Sequence, residues 1–208
     1  MATRLLAISG SLRASSINTA ALEAMALVAP DGVEVILYRD LARLPAFNPD
    51  EDEEERLPPA VAALRTLVRQ SDGLVVAAPE YAHGVPGALK NALDWLVASD
   101  AIPGKPIALL NAAPRAFHAQ SALRETLATM AARLVPEAFV TLALGGRAVD
   151  AAAIAADPGF ARCLREGMDA LVAEASDARS PCTAVRFMLS SSLGRAAGNR
   201  SGAVCAVA

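Results

Sequence analysis

Residues 73–95 read GLVVAAPEYAHGVPGALKNALDW, and this stretch decides the fold. Its first six residues form a short, continuously apolar run bounded by glycine and proline, which is typical of a strand buried on both faces of a sheet. After a turn rich in proline and glycine, residues 86–99 carry leucines three and four positions apart, the spacing of an amphipathic helix. The stretch therefore predicts a strand–loop–helix unit of an α/β protein.

The same unit repeats along the chain. Apolar runs of strand length are predicted at residues 4–9, 33–38, 73–78, 106–111 and 137–142. Helical spacing of apolar residues predicts helices at 18–29, 58–70, 86–99, 121–134 and 158–175. Strands that alternate with helices are joined by right-handed crossovers, and these make the sheet parallel. We therefore expect a five-stranded sheet in a three-layer domain, with ligands beyond the carboxyl ends of the strands.

Composition argues against several classes of function. The net charge of −3 and an aromatic content of 4% argue against a basic, base-stacking surface for nucleic acid. Apolar runs such as 74–78 are far shorter than the roughly 20 residues of a membrane-spanning helix, and the first residues show no secretory leader. The histidines and cysteines have no metal-ligand spacing. We expect no nucleic-acid partner, no membrane span and no metal.

The cysteines bear on the expected compartment. The chain has three of them, an odd number, at positions 163, 182 and 205. Free thiols in a reducing cytoplasm are the simplest interpretation. We therefore expect a cytoplasmic protein.

The end of the chain differs in composition from the rest. Residues 176–208 contain three consecutive serines, several glycines and no convincing hydrophobic period. This composition favours a tail that is poorly ordered or packs only weakly. We therefore predict a domain at residues 1–175 followed by a tail at 176–208.

The loop after the first predicted strand, residues 10–18, reads GSLRASSIN. It has neither the three glycines of a dinucleotide fingerprint nor the lysine and second glycine of a P-loop. Helix-start N–H groups and the helix dipole favour an anion here. Four side chains can donate to phosphate oxygens: Ser11, Arg13, Ser16 and Asn18. Helix capping explains one serine but not the whole set, so we predict a phosphate-monoester site.

The loop after the third predicted strand, residues 79–87, reads PEYAHGVPG. Two prolines, two glycines and an aromatic ring predict a rigid, tight turn. Its glycines would let a flat ligand approach the backbone, and its amides can hydrogen-bond the edge of a heterocycle. An ordinary strand-to-helix turn is the alternative interpretation. Because both loops lie at the same edge of a parallel sheet, we expect them to share a ligand.

Together, GSLRASSIN and PEYAHGVPGALKNALDWL resemble the NADPH-dependent FMN reductase family, flavodoxin-like proteins that include flavin, quinone, azo-dye and chromate reductases. The resemblance covers roughly residues 3–175. It implies a flavodoxin-like three-layer sandwich whose five-stranded parallel sheet has the order 2-1-3-4-5, with residues 1–175 as an FMN-binding reductase domain. It also implies a homodimer or homotetramer.

The resemblance implies roles for particular residues. Ser11, Arg13, Ser16 and Asn18 match the positions that hold the FMN phosphate. The positions beside the isoalloxazine ring are matched by Pro79, Glu80, Tyr81, His83, Gly84 and Ala112. Tyr81, His83 and Arg115 are expected on the substrate side. Residues 111–118 lack the glycines that many family members carry there, and His118 is expected to be a surface residue at a helix start rather than a catalytic base.

The implied activity is an enzymatic one. The resemblance implies hydride transfer from NADPH or NADH to bound FMN, and then to a flavin, quinone, azo compound or similar acceptor. Hydride transfer requires no protein general base, so no catalytic residue is expected. The alternatives are a flavodoxin-like electron carrier without pyridine-nucleotide activity and an FMN-free interaction module. The chain is less acidic than we expect of a carrier, and the serines and arginine of residues 10–18 argue against the module.

Overall fold

The computed structural model describes residues 2–53, 55–115, 117–144, 149–179 and 204–205. Seven strands are described: β1 (Thr3–Ser9), β2 (Val33–Tyr38), β3 (Gly73–Ala77), β4 (Pro106–Asn111), β5 (Arg133–Leu134), β6 (Val140–Leu142) and β7 (Val204–Cys205). Six α-helices lie between or beside them: α1 (Ile17–Leu27), α2 (Pro59–Gln70), α3 (Gly87–Val97), α4 (Phe117–Thr129), α5 (Ala151–Ala156) and α6 (Pro158–Arg179).

The strands form one parallel sheet. Its order is β2-β1-β3-β4-β6-β7, with β5 paired to β4 outside this path. The predicted flavodoxin-like order is therefore confirmed. Of the fifth predicted strand, 137–142, only β6 is a strand, and β5 lies in residues predicted as helix. β5 pairs with the start of β4 and β6 pairs with its end, and the 3-10 turn Pro136–Ala138 separates them. Pro136 has a fixed φ and no N–H, so a regular strand cannot run through it.

Helices cover both faces of the sheet. Leu5 and Ala7 of β1 point to the face covered by α1, α5 and α6. Leu6 and Ile8 of the same strand point to the face covered by α2, α3 and α4. Successive side chains of a strand point to opposite faces, so two buried faces require the continuously apolar strands seen in the sequence. The predicted three-layer arrangement is confirmed.

Several helix boundaries differ from the sequence prediction. α4 begins at Phe117 and ends at Thr129, whereas the periodicity placed it at 121–134, because the final two residues of that window form β5. The short helix α5 was missed; Asp150 caps it by accepting a hydrogen bond from the Ala153 N–H. α6 continues to Arg179, into the segment predicted as a tail. Apart from 176–179 and β7, that segment lies outside the described residues.

One cysteine differs from its prediction. Cys163 is largely buried on α6 and is disulfide-bonded, so the prediction of a free thiol is wrong for this residue. Pairing depends on which sulfurs the fold brings within bonding distance, and spacing along the chain does not report this. Cys182 and the side chain of Cys205 lie outside the described part of the chain.

The described residues contain neither a candidate membrane span nor a candidate metal cluster. None of their helices combines the length and apolar character needed to cross a bilayer. Likewise, no group of three or more histidine, cysteine, aspartate or glutamate side chains among them could hold a metal ion.

α6 approaches the edge of the sheet very closely at Gly167. A Cβ atom added there would lie 2.5 Å from Val140 Cγ2 and 3.2 Å from the Ala138 carbonyl oxygen. The sequence shows this glycine as an interruption of a helical pattern. The structure shows that its missing side chain lets the helix pack onto β6 and the preceding turn.

We therefore expect Gly167→Ala to destabilise the protein. Overpacking costs about 1–3 kcal/mol, and this outweighs the gain of up to about 1 kcal/mol from better helix propensity. The matched control is Gly87→Ala at the start of α3, where an added Cβ meets nothing within 4 Å. Urea unfolding should show a lower midpoint for the first variant than for the wild type and the control. A Gly167→Ala protein as stable as the wild type would contradict this packing account.

Candidate functional site

The loop that leaves β1 is joined to β3 by the backbone. The Gly10 N–H donates to the Ala77 carbonyl oxygen at 2.7 Å, so the two strands end side by side. A Cβ at Gly10 would lie 2.9 Å from Leu89 Cδ2 of α3. A side chain at position 10 would force Leu89 to move, so glycine favours the close approach of α3. This approach places the loop after β1 beside the loop after β3.

Serine side chains fix the conformation of residues 10–16. The Ser9 hydroxyl accepts a hydrogen bond from the Ser11 N–H, and the Ser11 hydroxyl accepts one from the Arg13 N–H, each at 3.3 Å. Ser16 is the N-cap of α1 and accepts from the Thr19 N–H. Helix capping therefore accounts for Ser16. The Ser11 and Ser16 oxygens act as acceptors in these bonds, so their hydroxyl hydrogens remain able to donate to a ligand.

Arg13 and Asn18 carry polar groups that the described residues do not satisfy. The Arg13 side chain is exposed and makes no ion pair with any described residue. Asn18, in the first turn of α1, is only 4% exposed, and its Oδ1 has no hydrogen-bond partner among the described residues. A buried polar atom without a partner costs about 1–3 kcal/mol. A bound ligand or water that pairs with Asn18 would remove this cost.

The loop after β3 contains a tight two-residue turn. Tyr81 and Gly84 exchange backbone hydrogen bonds of 3.3 Å and 2.9 Å, and the residues between them, Ala82 and His83, have φ values of 50° and 60°. Positive φ at both central positions is typical of a type I′ turn and is unfavourable for residues with a Cβ. Such strain is common at functional sites. The turn leaves the Tyr81 side chain 57% exposed.

Glu80 links this loop to α4. Its Oε2 accepts a hydrogen bond of 2.9 Å from the Ala119 N–H in the first turn of α4. A carboxylate is favoured there because the N-terminal amides and the helix dipole present positive charge. Sequence reasoning did not find this cap, because the two residues are 39 positions apart.

A cavity of about 480 Å³ lies between the three loops that follow β1, β3 and β4, and we call it the carboxyl-edge cavity. Its lining includes seven predicted cofactor residues: Ser11, Arg13, Ser16, Asn18, Pro79, Glu80 and Tyr81. Arg115 lines it too, as does Ala113. The structure thus brings the four predicted phosphate residues and three of the six predicted ring-side residues to one site.

Three predicted residues are not in the lining. Ala112 is 1% exposed and packs in the core, so its neighbour Ala113 faces the cavity instead. Gly84 lies within the turn. His83 stacks on His118 with 4.2 Å between ring centroids, and His118 also contacts Phe117 at 4.0 Å. No local pattern in the sequence indicates this stack, because His83 lies in the loop after β3 and His118 in the first turn of α4.

A further cavity of about 510 Å³ is also bordered by the loop after β1. It is lined by Ser11, Arg13 and Ser16 but extends toward the end of β2, where Tyr38 and Arg39 border it. Arg39 is paired with Glu23 at 3.0 Å. No residue of the loop after β3 lines this cavity, so it does not join the two motifs that the sequence singled out.

Two groups with shifted pKa values lie elsewhere. Burial, and secondly the charge of Asp40, raise the pKa of Tyr38 to about 12. Burial lowers the pKa of Lys105, although the charge of Asp72 acts in the opposite direction. Neither residue lines the carboxyl-edge cavity, so these shifts do not mark an acid or base there.

Side chains of α3 hold the loop that contains Pro45 and Phe47 against the helix. The Asn91 amide donates to the Pro45 carbonyl oxygen at 2.8 Å and accepts from the Phe47 N–H at 2.7 Å. The Trp95 indole N–H donates to the same Pro45 oxygen, and its ring packs edge-on against Phe47. Lys90 and Asp94 form an ion pair along the helix. Asn91 and Trp95 therefore stabilise the fold and do not reach the cavity.

The chain resembles known proteins over a range that contains the loops after β1 and β3. Residues 3–146 match the family model for NADPH-dependent FMN reductase. A quinone reductase from Escherichia coli strain K12 is 40% identical over 100 residues, which are 47% of this chain and 53% of that protein. The chain thus spans about half the length of that relative.

Two further matches extend over most of the chain. An NAD(P)H-dependent FMN reductase from Pseudomonas aeruginosa is 34% identical over 173 residues, covering 81% of this chain and 92% of that protein. Among solved structures, FerB, a flavoenzyme NAD(P)H:(acceptor) oxidoreductase from Paracoccus denitrificans, superposes with a TM-score of 0.66 at 26% identity, covering 84% of this chain and 98% of FerB. The chain belongs to the NADPH-dependent FMN reductase family.

Proposed function

We propose that the protein is an oxidoreductase that couples the oxidation of NAD(P)H to the reduction of a small acceptor, with FMN as its cofactor. The observation that carries this proposal is the carboxyl-edge cavity, which combines a donor-rich helix N-terminus with a rigid turn at the same edge of the sheet. The names of the relatives support a flavin, quinone or similar acceptor.

The residues at one end of the cavity fit a phosphate. Ser11 and Ser16 offer hydroxyl hydrogens, Arg13 offers an unpaired guanidinium, and the first amides of α1 point outward. Asn18 lines the same end, and its NH₂ group is the part that can donate to a phosphate, since the Oδ1 atom that lacks a described partner is an acceptor. The one carboxylate in the lining, Glu80, accepts from the Ala119 N–H, which reduces its repulsion of an anion. These four donors would hold the FMN phosphate.

The other end fits a flat ring system. A volume of about 480 Å³ is within the usual range of cofactor sites. Pro79, Tyr81 and Ala113 line it, and the strained turn at Ala82 fixes the backbone beside it. When bound, FMN supplies the hydride-accepting and hydride-donating chemistry. The task of these residues is to position the ring and leave one side open to substrates.

The substrate side is formed by exposed groups. Tyr81 lies in the lining with most of its ring exposed, and Arg115 also borders the cavity. Arg115 would attract the anionic phosphates of a nicotinamide nucleotide or an anionic acceptor. His83, held by its stack on His118, would border the acceptor from outside the cavity. We assign no catalytic acid or base, because hydride transfer requires none.

Assembly and location are further proposals that family membership supports. We propose a homodimer or homotetramer in the cytoplasm. Val97 at the end of α3 is 61% exposed, which is consistent with burial in a subunit contact. No observation favours the electron carrier over the reductase.

Replacing Arg13 with alanine should weaken FMN binding about 10- to 100-fold, because a hydrogen bond to a charged group contributes roughly 1.5–3 kcal/mol. Quenching of flavin fluorescence on titration measures the affinity. Riboflavin, which lacks the phosphate, should bind both proteins equally. Arg162→Ala, an exposed arginine on α6, is the control and should leave FMN affinity unchanged. An unaltered FMN affinity in Arg13→Ala would refute the phosphate assignment.

The proposed activity predicts that anaerobic NADPH or NADH bleaches the yellow colour of the FMN-loaded protein. A quinone added afterwards should restore the colour in one rapid phase, because the same open side serves both substrates. The measurement is stopped-flow absorption with each nucleotide and quinone in turn. A protein that binds FMN but is not reduced by either nucleotide would favour the electron carrier, and a protein that ignores FMN would exclude both.

A further inference from the structure

A smaller cavity of about 200 Å³ lies between α4 and the ends of β4 and β6, and we call it the α4 cavity. It shares no lining residue with the carboxyl-edge cavity. The two are neighbours through the loop between β4 and α4. Ala113 and Arg115 within that loop line the larger cavity, whereas Asn111 and Phe117 at its two ends line the smaller one.

One residue in the lining of the α4 cavity carries a buried hydrogen-bond donor that is unpaired among the described residues. Gln120 lies in the lining, is only 7% exposed, and its Nε2 has no hydrogen-bond acceptor among the described residues. Buried amide groups in folded proteins are nearly always paired. An acceptor from a ligand or from water would satisfy it.

The lining of the α4 cavity also includes a positively charged side chain that is not paired with a carboxylate of any described residue. The Arg124 guanidinium lies 4.8 Å from the centre of the Phe139 ring, which borders the same space, and forms no ion pair with any described residue. An aromatic face can hold a guanidinium in place while its N–H edge stays open to a ligand. Arg124 is thus positioned to bind an anion.

The other polar groups in the lining of the α4 cavity can also donate hydrogen bonds to an anion. The side-chain Oδ1 of Asn111 already accepts from the Ala113 N–H at 3.0 Å, so the side-chain NH₂ group is the part left to interact. Thr141 adds a hydroxyl, and no aspartate or glutamate is in the lining. The α4 cavity therefore combines hydrogen-bond donors, one positive charge and two aromatic side chains, Phe117 and Phe139.

We propose that the α4 cavity binds the carboxylate of a small organic acid. Arg124 pairs with the carboxylate, Gln120 donates to it, and the aromatic side chains contact the apolar part of the ligand. A single positive charge matches a monoanion, and the volume is below that of sites for drug-sized ligands. The proposal rests on this geometry alone, so it stands or falls independently of the FMN site.

Benzoate is a suitable probe, with benzamide as the neutral molecule of the same shape. Isothermal titration calorimetry on the FMN-saturated protein should show benzoate binding and much weaker benzamide binding. Arg124→Gln should weaken benzoate binding about tenfold or more, the loss of one charge-assisted contact. Gln120→Met, which keeps the shape and removes the donor, should weaken it less. Arg162→Gln makes the same charge change on α6 and should leave it unchanged.

Three results would overturn the proposal. The first is equal binding of benzoate and benzamide. The second is unchanged benzoate affinity in an Arg124→Gln protein whose circular dichroism matches the wild type. The third is an altered sedimentation coefficient in that variant with no benzoate binding to the wild type, which would assign the cavity to a contact between two copies of the chain. Binding that persists without added FMN supports a separate site.

Discussion

The hydrogen bond from the Gly10 N–H to the Ala77 carbonyl oxygen joins β1 and β3 at the point where their two loops begin. Because Gly10 has no side chain, Leu89 of α3 can pack against the same point. The loop rich in serine and the strained turn after β3 are thereby held on either side of one cavity. A shift of either strand would separate the donors at α1 from the turn at Tyr81, so the candidate site depends on this contact.

Much of the fold could be predicted because its strands are buried on both faces. Continuous apolar runs located β1 to β4, and the strand–helix alternation predicted a parallel sheet. The edge of the sheet was harder to predict. The 3-10 turn Pro136–Ala138 occupies the start of the predicted fifth strand, and β5 is only two residues long, too short to show a hydrophobic period. The disulfide of Cys163 was also unpredictable, because spacing does not report which sulfurs meet.

The candidate site also contains some residues that could be predicted from the sequence and others that could not. Residues that act through local backbone geometry, such as Ser16 as the cap of α1, could be found from the motif itself. Residues that act across the fold could not. Glu80 caps a helix that begins far along the chain, and His118 of α4 stacks on a histidine of the loop after β3. Ala113 rather than Ala112 faces the cavity, a one-residue register that the apolar pattern at the end of β4 does not define.

We propose that one ligand spans both loops, with its phosphate at the start of α1 and its ring at the turn after β3. Backbone amide chemical shifts, recorded with FMN and with riboflavin, test it most directly. If one ligand spans both loops, both FMN and riboflavin should shift the amides of residues 79–84, whereas FMN alone should strongly shift those of 11–18. Equal shifts at 11–18 with riboflavin, or none there with FMN, would contradict it.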